Sequence, residues 1–423
     1  MTACIIAVGS EMLTPFRVDT NSLAVTERLN AIGCDVRLKV VVGDDIEEIA
    51  RVFASALEWA TVVVVIGGLG PTDDDVTRQA IARVLQVPLE VREHVVEHIR
   101  QRFARRGLAM QAINARQALA PRGATLLDNP NGTAPGLWME HGPTAIVLLP
   151  GPPREMTPMI EAVVRERLAP RGGGTGLFRR VLRITGRTES DVDAHAAPVY
   201  RPWATAAVPI ATTILATFGQ IELHLTARAA ALADADVALD RAVEALAAVL
   251  GPSVYSVDGR TLEVVVGDLL RARQMTVAVA ESCTGGLLAS RLTDVPGSSD
   301  YVERGVVCYS NRSKVELLGV PDALIAEHGA VSEAVACAMA DGARQRAVTS
   351  VGIGVTGIAG PGGGSMEKPV GTTAIAVATH EAQHVRTFQF VGGRDQVKFQ
   401  ASQAALNMLR LMLEHPRMNG AAG

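Results

Sequence analysis

The sequence predicts an α/β protein in which two α/β domains are joined by a small α+β module. Three observations carry that prediction. Short β-branched runs alternate with stretches of helical periodicity towards both ends of the chain. Several strand candidates are apolar throughout, TVVVVI at 61–66 most clearly, as strands of a parallel sheet covered on both faces should be. The length of 423 residues suits roughly two to three domains. Hydrophobic residues make up 48% of the chain, but only 8 Phe, 4 Tyr and 3 Trp are present, so the cores must rest on Ala, Val, Leu and Ile.

The first domain opens on a strand at 4–8. The helix expected at 21–32 sets Leu23, Ala24 and Leu29 on one side. A strand at 35–42, a helix at 47–59, the strand at 61–66, a helix at 73–85 and a strand at 145–149 follow. The glycine cluster at 170–176 reads as a link. The middle module then shows a strand at 180–185, a helix starting near Ser190, strands at 210–217 and 220–227, and an Ala-rich helix at 234–250. A second link is expected at 251–260. The third segment alternates again. Helix 262–273, strand 276–280, helix 285–293, strand 305–309 and helix 332–346 precede strands at 350–355, 372–379 and 384–390. A final helix runs over 396–414, and the tail at 418–423 should fray.

Composition excludes several classes. The 40 basic and 44 acidic residues leave a net charge of −4, which gives no footprint for sequence-independent nucleic-acid binding. No apolar run reaches membrane-spanning length, and no basic segment precedes the first apolar run, so a signal peptide is not expected. The 5 cysteines are odd in number and lack CxxC spacing, which points to a cytoplasmic setting rather than a disulfide framework.

In the first domain, Gly67, Gly68, Leu69, Gly70, Pro71 and Thr72 lead from a buried strand into Asp73, Asp74 and Asp75. The glycines permit close backbone approach, and a helix starting here would offer N–H groups to an anion. The three aspartates suit a divalent cation shared with a phosphate, or serve only to cap the helix and offset its dipole. Gly9-Ser10-Glu11, Asp19-Thr20-Asn21, the 131–136 loop NGTAPG and the turn LPGPPREM around Arg154 and Glu155 add polar groups.

Together the strings GSEML, DTNS, VVGDD, GGLGPTDDD, NGTAPG and LPGPPREM resemble the N-terminal domain of the CinA (competence/damage-inducible protein) family, over about 1–170. That domain is similar to molybdopterin-binding domains. The resemblance implies a metal-dependent ADP-ribose pyrophosphatase, which releases AMP and ribose 5-phosphate. It places Gly67, Gly68, Gly70 and Thr72 at the phosphates and Asp73, Asp74 and Asp75 at a divalent cation, with Glu11, Asp19 and Glu155 as weaker additions. Thr14-Pro15-Phe16-Arg17 stands where many relatives carry leucine and glycine, which alters the loop beside that site. The alternative is a domain that binds a pterin or nucleotide without turnover. The middle module, 177–252, resembles the KH-type module of the family. It has no GxxG loop and is rich in acids, so a spacer or dimer contact is expected rather than RNA binding.

The third segment holds the sharpest string, Glu281-Ser282-Cys283-Thr284-Gly285-Gly286. A strand ends there and a helix starts, so an oxyanion near Ser282 would meet backbone N–H groups. Ser282 reads as a nucleophile needing a base, or as an N-cap; Cys283 reads as a low-pKa thiol or as packing. His328 and His384 lie in plain surroundings, so a Ser-His-Asp triad is not supported. Lys314, in YSNRSK, is the better base, because lysine can be deprotonated and arginine cannot. Only 4 of the 40 basic residues are lysines. Thr356 and Gly357 open a glycine-rich loop off another strand, and Arg394 starts the last helix, either solvated or positioned for a phosphate.

ESCTGG, YSNRSK, HGAVSE, TGIAGPGGG, KPVGTT and GGRD are similar in order and spacing to the nicotinamide-nucleotide amidase domain of the same family, over about 260–416. The resemblance implies hydrolysis of nicotinamide mononucleotide to nicotinic acid mononucleotide and ammonia. It makes Ser282 the nucleophile and Tyr309 and Lys314 the acid–base partners, without choosing between them. Thr284, Gly285, Gly286, Thr356, Gly357 and Arg394 would hold substrate. No cofactor is expected for this half. The resemblance also implies a homodimer, and composition leaves neither a membrane nor a nucleic acid expected as partner.

Overall fold

The computed structural model describes residues 1–172, 176–230 and 232–415. The expected tail at 418–423 and residues 173–175 of the expected 170–176 link lie outside them. The chain divides into two compact units, Met1–Phe178 with Ala227–Asp236, and Arg179–Thr226 with Val237–Gly423.

The first unit is built on a six-stranded sheet. Its strands are β1 (Thr2–Val8), β2 (Asp35–Val42), β3 (Val62–Ile66), β6 (Thr125–Leu127), β7 (Gly136–His141) and β8 (Thr144–Leu149), in the order β2-β1-β3-β8-β7-β6. β4 (Leu89–Val91) and β5 (Leu119–Pro121) form a separate antiparallel pair. The first four strands of the order are parallel. β7 and β6 then add antiparallel, so the sheet is not parallel throughout as expected. β7 turns straight into β8 through Gly142, whose φ of +54° suits a tight hairpin. Alternate residues of each central strand face opposite cores. Cys4, Ile6, Val63 and Val65 pack on one side, and Ile5, Val62 and Val64 on the other. Small β-branched side chains thus fill both layers, as the scarcity of aromatics requires.

The middle strands, β9 (Gly176–Ile184), β10 (Ile210–Thr217), β11 (Gln220–Ala229) and β12 (Val254–Ser256), make a four-stranded sheet in the order β10-β11-β9-β12. β12 falls inside the stretch expected to be a bare link; it pairs antiparallel with β9. The last sheet has five strands: β13 (Val277–Glu281), β14 (Val302–Val307), β15 (Val351–Gly357), β16 (Thr372–Ala378) and β17 (Gln383–Gln389), in the order β14-β13-β15-β16-β17. β14, β13 and β15 are parallel, and β16 and β17 are antiparallel.

Both large sheets share one topological feature. The chain runs from the first strand to a neighbour on one side, then crosses to the other side. The crevice at such a reversal, beyond the carboxyl ends of the strands, is where open α/β sheets bind ligands. It lies between β1 and β3 in the first unit and between β13 and β15 in the second. Among the described residues no helix is long and apolar enough to cross a membrane.

Candidate functional site

In the first unit, the crevice between β1 and β3 is a cleft of about 320 Å³. Gly9 and Glu11 line it after β1, and Gly67, Gly68 and Gly70 after β3; Asp44, Asp74, Asp75, Gln117, Thr133 and Glu155 complete much of the wall. The loop after β3 is tied down from below. Gly68 has a φ of +64°, and a Cβ there would stand 2.2 Å from Thr77 Oγ1. Thr77 donates its hydroxyl to the Gly67 carbonyl at 2.8 Å. Arg78, 2% exposed, donates to the Leu69 carbonyl at 2.7 Å. Burial pulls that guanidinium down to about 10.

The helix expected from Asp73 begins at Thr77 instead (Thr77–Val84). The aspartates explain the delay, because two of them bond within or across the loop. Asp75 accepts from the Gly70 N–H at 2.7 Å, the Thr72 N–H at 2.8 Å and the Thr72 hydroxyl at 2.5 Å. Asp73 pairs with Arg116. Asp74 is exposed and lines the cleft. Among the described residues no three His, Cys, Asp or Glu side chains converge as a metal site. Asp74 and Asp75 both line the cleft, and a hydrogen bond from Thr72 holds the exposed Asp74 carboxyl below the ordinary aspartate value. Thr72 serves Asp75. Asp19 accepts from the Ser22 N–H at 2.9 Å and shapes the helix entry. Glu155 is nearly buried and accepts from Asn129 at 2.8 Å.

In the second unit, Ser282 follows β13, and its N–H donates to the Val355 carbonyl of β15 at 2.9 Å, at the crevice. Lys314 lies in the helix Asn311–Leu318, which Ser310 caps by accepting from the Ser313 N–H. Lys314 Nζ is 3.2 Å from Ser282 Oγ and donates to the Cys308 carbonyl at 3.1 Å. Both side chains are buried: Lys314 is 1% exposed and Ser282 7%. The groups acting electrostatically on Lys314 are Cys308, Cys283 and Tyr309, none of them a carboxylate. Burial without a counter-ion pushes its ammonium below the ordinary lysine value. A neutral amine beside a serine hydroxyl is the arrangement a general base requires.

Tyr309, open to choice in the sequence, does not share this position. It lies beyond the end of β14, is 61% exposed, and accepts from Arg394 Nη2 at 2.9 Å. Arg394 Nη1 donates to the Gly360 carbonyl at 2.8 Å, so its guanidinium fastens the glycine-rich loop to Tyr309. Thr356 is buried and donates to the Ala330 carbonyl at 2.7 Å. A Cβ on Gly357 would meet Thr373 Oγ1 at 2.6 Å and Cys283 Sγ at 3.0 Å, so glycine lets β15 pack against the nucleophile turn. Cys283 itself is buried, which pushes its thiol up to about 12; it stays protonated and packs.

Glu281 is the residue sequence reasoning passed over. It is fully buried, and its carboxylate accepts from the N–H groups of Gly286, Leu288 and Ala289 at 3.0, 3.0 and 2.8 Å. It caps the helix Leu287–Thr293, which starts two residues later than expected. Of the N–H groups expected to hold an oxyanion, Gly286 is engaged by Glu281 and Gly285 by the Ser282 carbonyl at 3.2 Å. The Thr284 hydroxyl is buried without a partner among the described residues. Arg291, one turn into that helix, bonds Glu263, Ser402 and Gln403 and fixes the helix against the last one, Arg394–Glu414. Lys398 follows Arg394 by one helical turn and brings Nζ to 3.7 Å from where a Gly285 Cβ would sit. The i,i+4 spacing of Arg394 and Lys398 was the available signal for it. An acid between a buried strand and a Ser-x-Thr-Gly-Gly turn was the signal for Glu281.

Comparisons with known proteins match these two regions. Residues 259–413 match the model of the CinA C-terminal domain, and residues 4–170 match that of a probable molybdopterin binding domain. A CinA-like protein of Koribacter versatilis is 44% identical over 417 residues, 98% of this chain and 100% of that one. A putative competence-damage inducible protein of Moorella thermoacetica is 43% identical over 415 residues, 97% of this chain and 98% of that one. The crystal structure of a competence/damage inducible protein from Agrobacterium tumefaciens is 39% identical, with a TM-score of 0.35. It covers 36% of this chain and 93% of its own.

Proposed function

The chain belongs to the CinA family of competence/damage-inducible proteins, and from that premise we propose that it is a hydrolase of two pyridine-nucleotide derivatives. Its second unit would deamidate nicotinamide mononucleotide. The observation that carries this reading is the buried contact of Lys314 Nζ with Ser282 Oγ at 3.2 Å. Ser282 Oγ attacks the carboxamide carbon, and its proton passes to Lys314. Lys314 returns the proton to the departing ammonia. Water, deprotonated by Lys314, then cleaves the acyl ester, and Ser282 regains its proton. Lys398 and Arg394 offer positive charge to the substrate phosphate beside the glycine-rich loop. The unpartnered Thr284 hydroxyl supplies a donor for the substrate or the developing oxyanion.

The first unit would split ADP-ribose into AMP and ribose 5-phosphate. The glycine loop in the cleft after β3 supports a diphosphate site. A divalent cation would be held by Asp74 together with the substrate phosphates and water, the mode in which a hard cation needs few protein ligands. It would offset phosphate charge. The small module, which has no GxxG loop, acts as a spacer in this scheme, and the family resemblance favours a homodimer.

The test is a product assay of the full-length protein on both substrates, with and without a chelator. Ammonia release from nicotinamide mononucleotide should persist under chelation, and AMP release from ADP-ribose should stop. AMP release that survives chelation would remove the Asp74–cation arrangement. Binding of ADP-ribose with no AMP formed would make the first unit a binding module.

A further inference from the structure

In the second unit the last helix, Arg394–Glu414, covers one face of the sheet but leaves the edge strand partly bare. β17 is that edge strand. His384, Arg386 and Phe388 alternate along it and so share a face. Phe388 packs against the core that the last helix helps to build, so this face looks towards the helix. A cavity of about 460 Å³ lies between β17 and the end of that helix.

The helix contributes Met408, Leu411 and Met412 to the cavity, and Pro252 adds a further apolar side. Methionine side chains adapt to the shape of an apolar guest. The polar groups are all of one kind. His384, Arg386 and His415 line the cavity, and no Asp or Glu is among the residues that do. Glu414, next to His415 in the chain, is paired with Arg410 at 2.6 Å. Arg386 meets no carboxylate among the described residues; its guanidinium lies 4.8 Å over the Phe388 ring. His384 Nε2 is buried with no hydrogen-bond partner among the described residues. A ring nitrogen left in that state costs free energy, and an acceptor bound in the cavity would serve it once the ring turns.

The geometry points to a binding site for a small apolar organic acid, a carboxylate on a hydrocarbon body. The body fills the space beside Met408, Leu411 and Met412. The carboxylate takes the polar rim, where Arg386 offers paired N–H donors and the imidazoles offer single ones. The volume falls within the range of sites for organic ligands. An organic cation would meet Arg386 and find no carboxylate to hold it. A phosphorylated sugar has no apolar body to cover the methionines. The site is separate from the Ser282 crevice, because β17 stands three strand spacings of about 4.8 Å from β13. The assignment does not depend on the hydrolase reading of either unit.

The experiment is calorimetric titration of the full-length protein with octanoate and with octylammonium, each below its micellar concentration. Wild type should bind octanoate with a Kd below about 1 mM, and at least about tenfold more tightly than octylammonium. Arg386→Glu should weaken octanoate by about tenfold or more and tighten octylammonium, because the charge at the rim is reversed. Met408→Trp, which fills the cavity, should weaken octanoate by about tenfold or more. Leu411→Trp fills the same space and replaces it if Met408→Trp does not show a wild-type melting transition. Octanoate that fails to bind wild type, that binds no more tightly than octylammonium, or that keeps its affinity in the folded variants would overturn the assignment.

Discussion

Ser282→Ala should lower kcat/KM for nicotinamide mononucleotide by about three orders of magnitude or more. The alanine removes the one atom that forms the covalent bond to substrate, and neither neighbour can replace it. Cys283 holds its proton up to about pH 12 and packs inward. The Thr284 hydroxyl is buried and has no partner among the described residues, so no base activates it. The protein should fold normally, since Ser282 is anchored to β15 through its main-chain N–H and not its side chain. ADP-ribose cleavage, belonging to the other unit, should be unchanged. Ammonia release within about twofold of wild type would show that Ser282 is not the nucleophile.

Lys314→Met should cost nearly as much as the loss of Ser282, because a nucleophile and its base act as a unit. Methionine keeps most of the buried stem and avoids stranding a charge. Lys314→Arg should not rescue, since arginine keeps its proton and remains a donor only. The pH dependence follows from the direction of the shift. Burial disfavours the ammonium, so the proton leaves Lys314 at a lower pH than from an exposed lysine. The active form is the neutral amine, so kcat/KM should rise with pH along a limb centred below the ordinary lysine value. That limb should vanish in Lys314→Met. A Tyr309→Phe variant that lost the limb while Lys314→Met kept it would reverse the two roles.

The parallel strands of both large sheets were legible because a buried parallel strand admits little but β-branched and small apolar residues. β2 and β10 agree with the sequence reading to the residue, and β3 to within one. β7 escaped notice because GLWMEH mixes an aromatic with exposed polar residues at its end, and β12 because three residues carry no periodicity. The helices Asn311–Leu318 and Asp322–His328 were also missed; at 8 and 7 residues each is too short to show a clear period. Helix starts were read too early at both ligand loops. Asp75 and Glu281, two carboxylates that look like first-turn or strand-end residues, spend their oxygens on backbone N–H groups of the turn itself. Periodicity cannot show where a side chain folds back on its own loop.

The candidate site was legible as a set of strings but not as an arrangement. The residues favoured Lys314 as the base, but the family resemblance left the choice between it and Tyr309 open. A helix starting at Asn311 separates them, leaving Tyr309 outside with Arg394 and burying Lys314 against Ser282. Arg394 and Thr356, expected to hold substrate, also fasten the surrounding loops to carbonyl groups, a role that no string shows. Arg78 and Gln117 behind the first glycine loop carried no signal, since one arginine among so many and one glutamine in an irregular segment are invisible without the fold.

The central claim is that deamidation passes through an ester on Ser282. Hydroxylamine added during turnover of nicotinamide mononucleotide intercepts such an ester. Part of the product should become the hydroxamate of nicotinic acid mononucleotide, while ammonia release is not reduced and water and hydroxylamine compete for one intermediate. Ammonia release at the normal rate with no hydroxamate at any hydroxylamine concentration would contradict the acyl-enzyme, and with it the pairing of Ser282 and Lys314 as nucleophile and base.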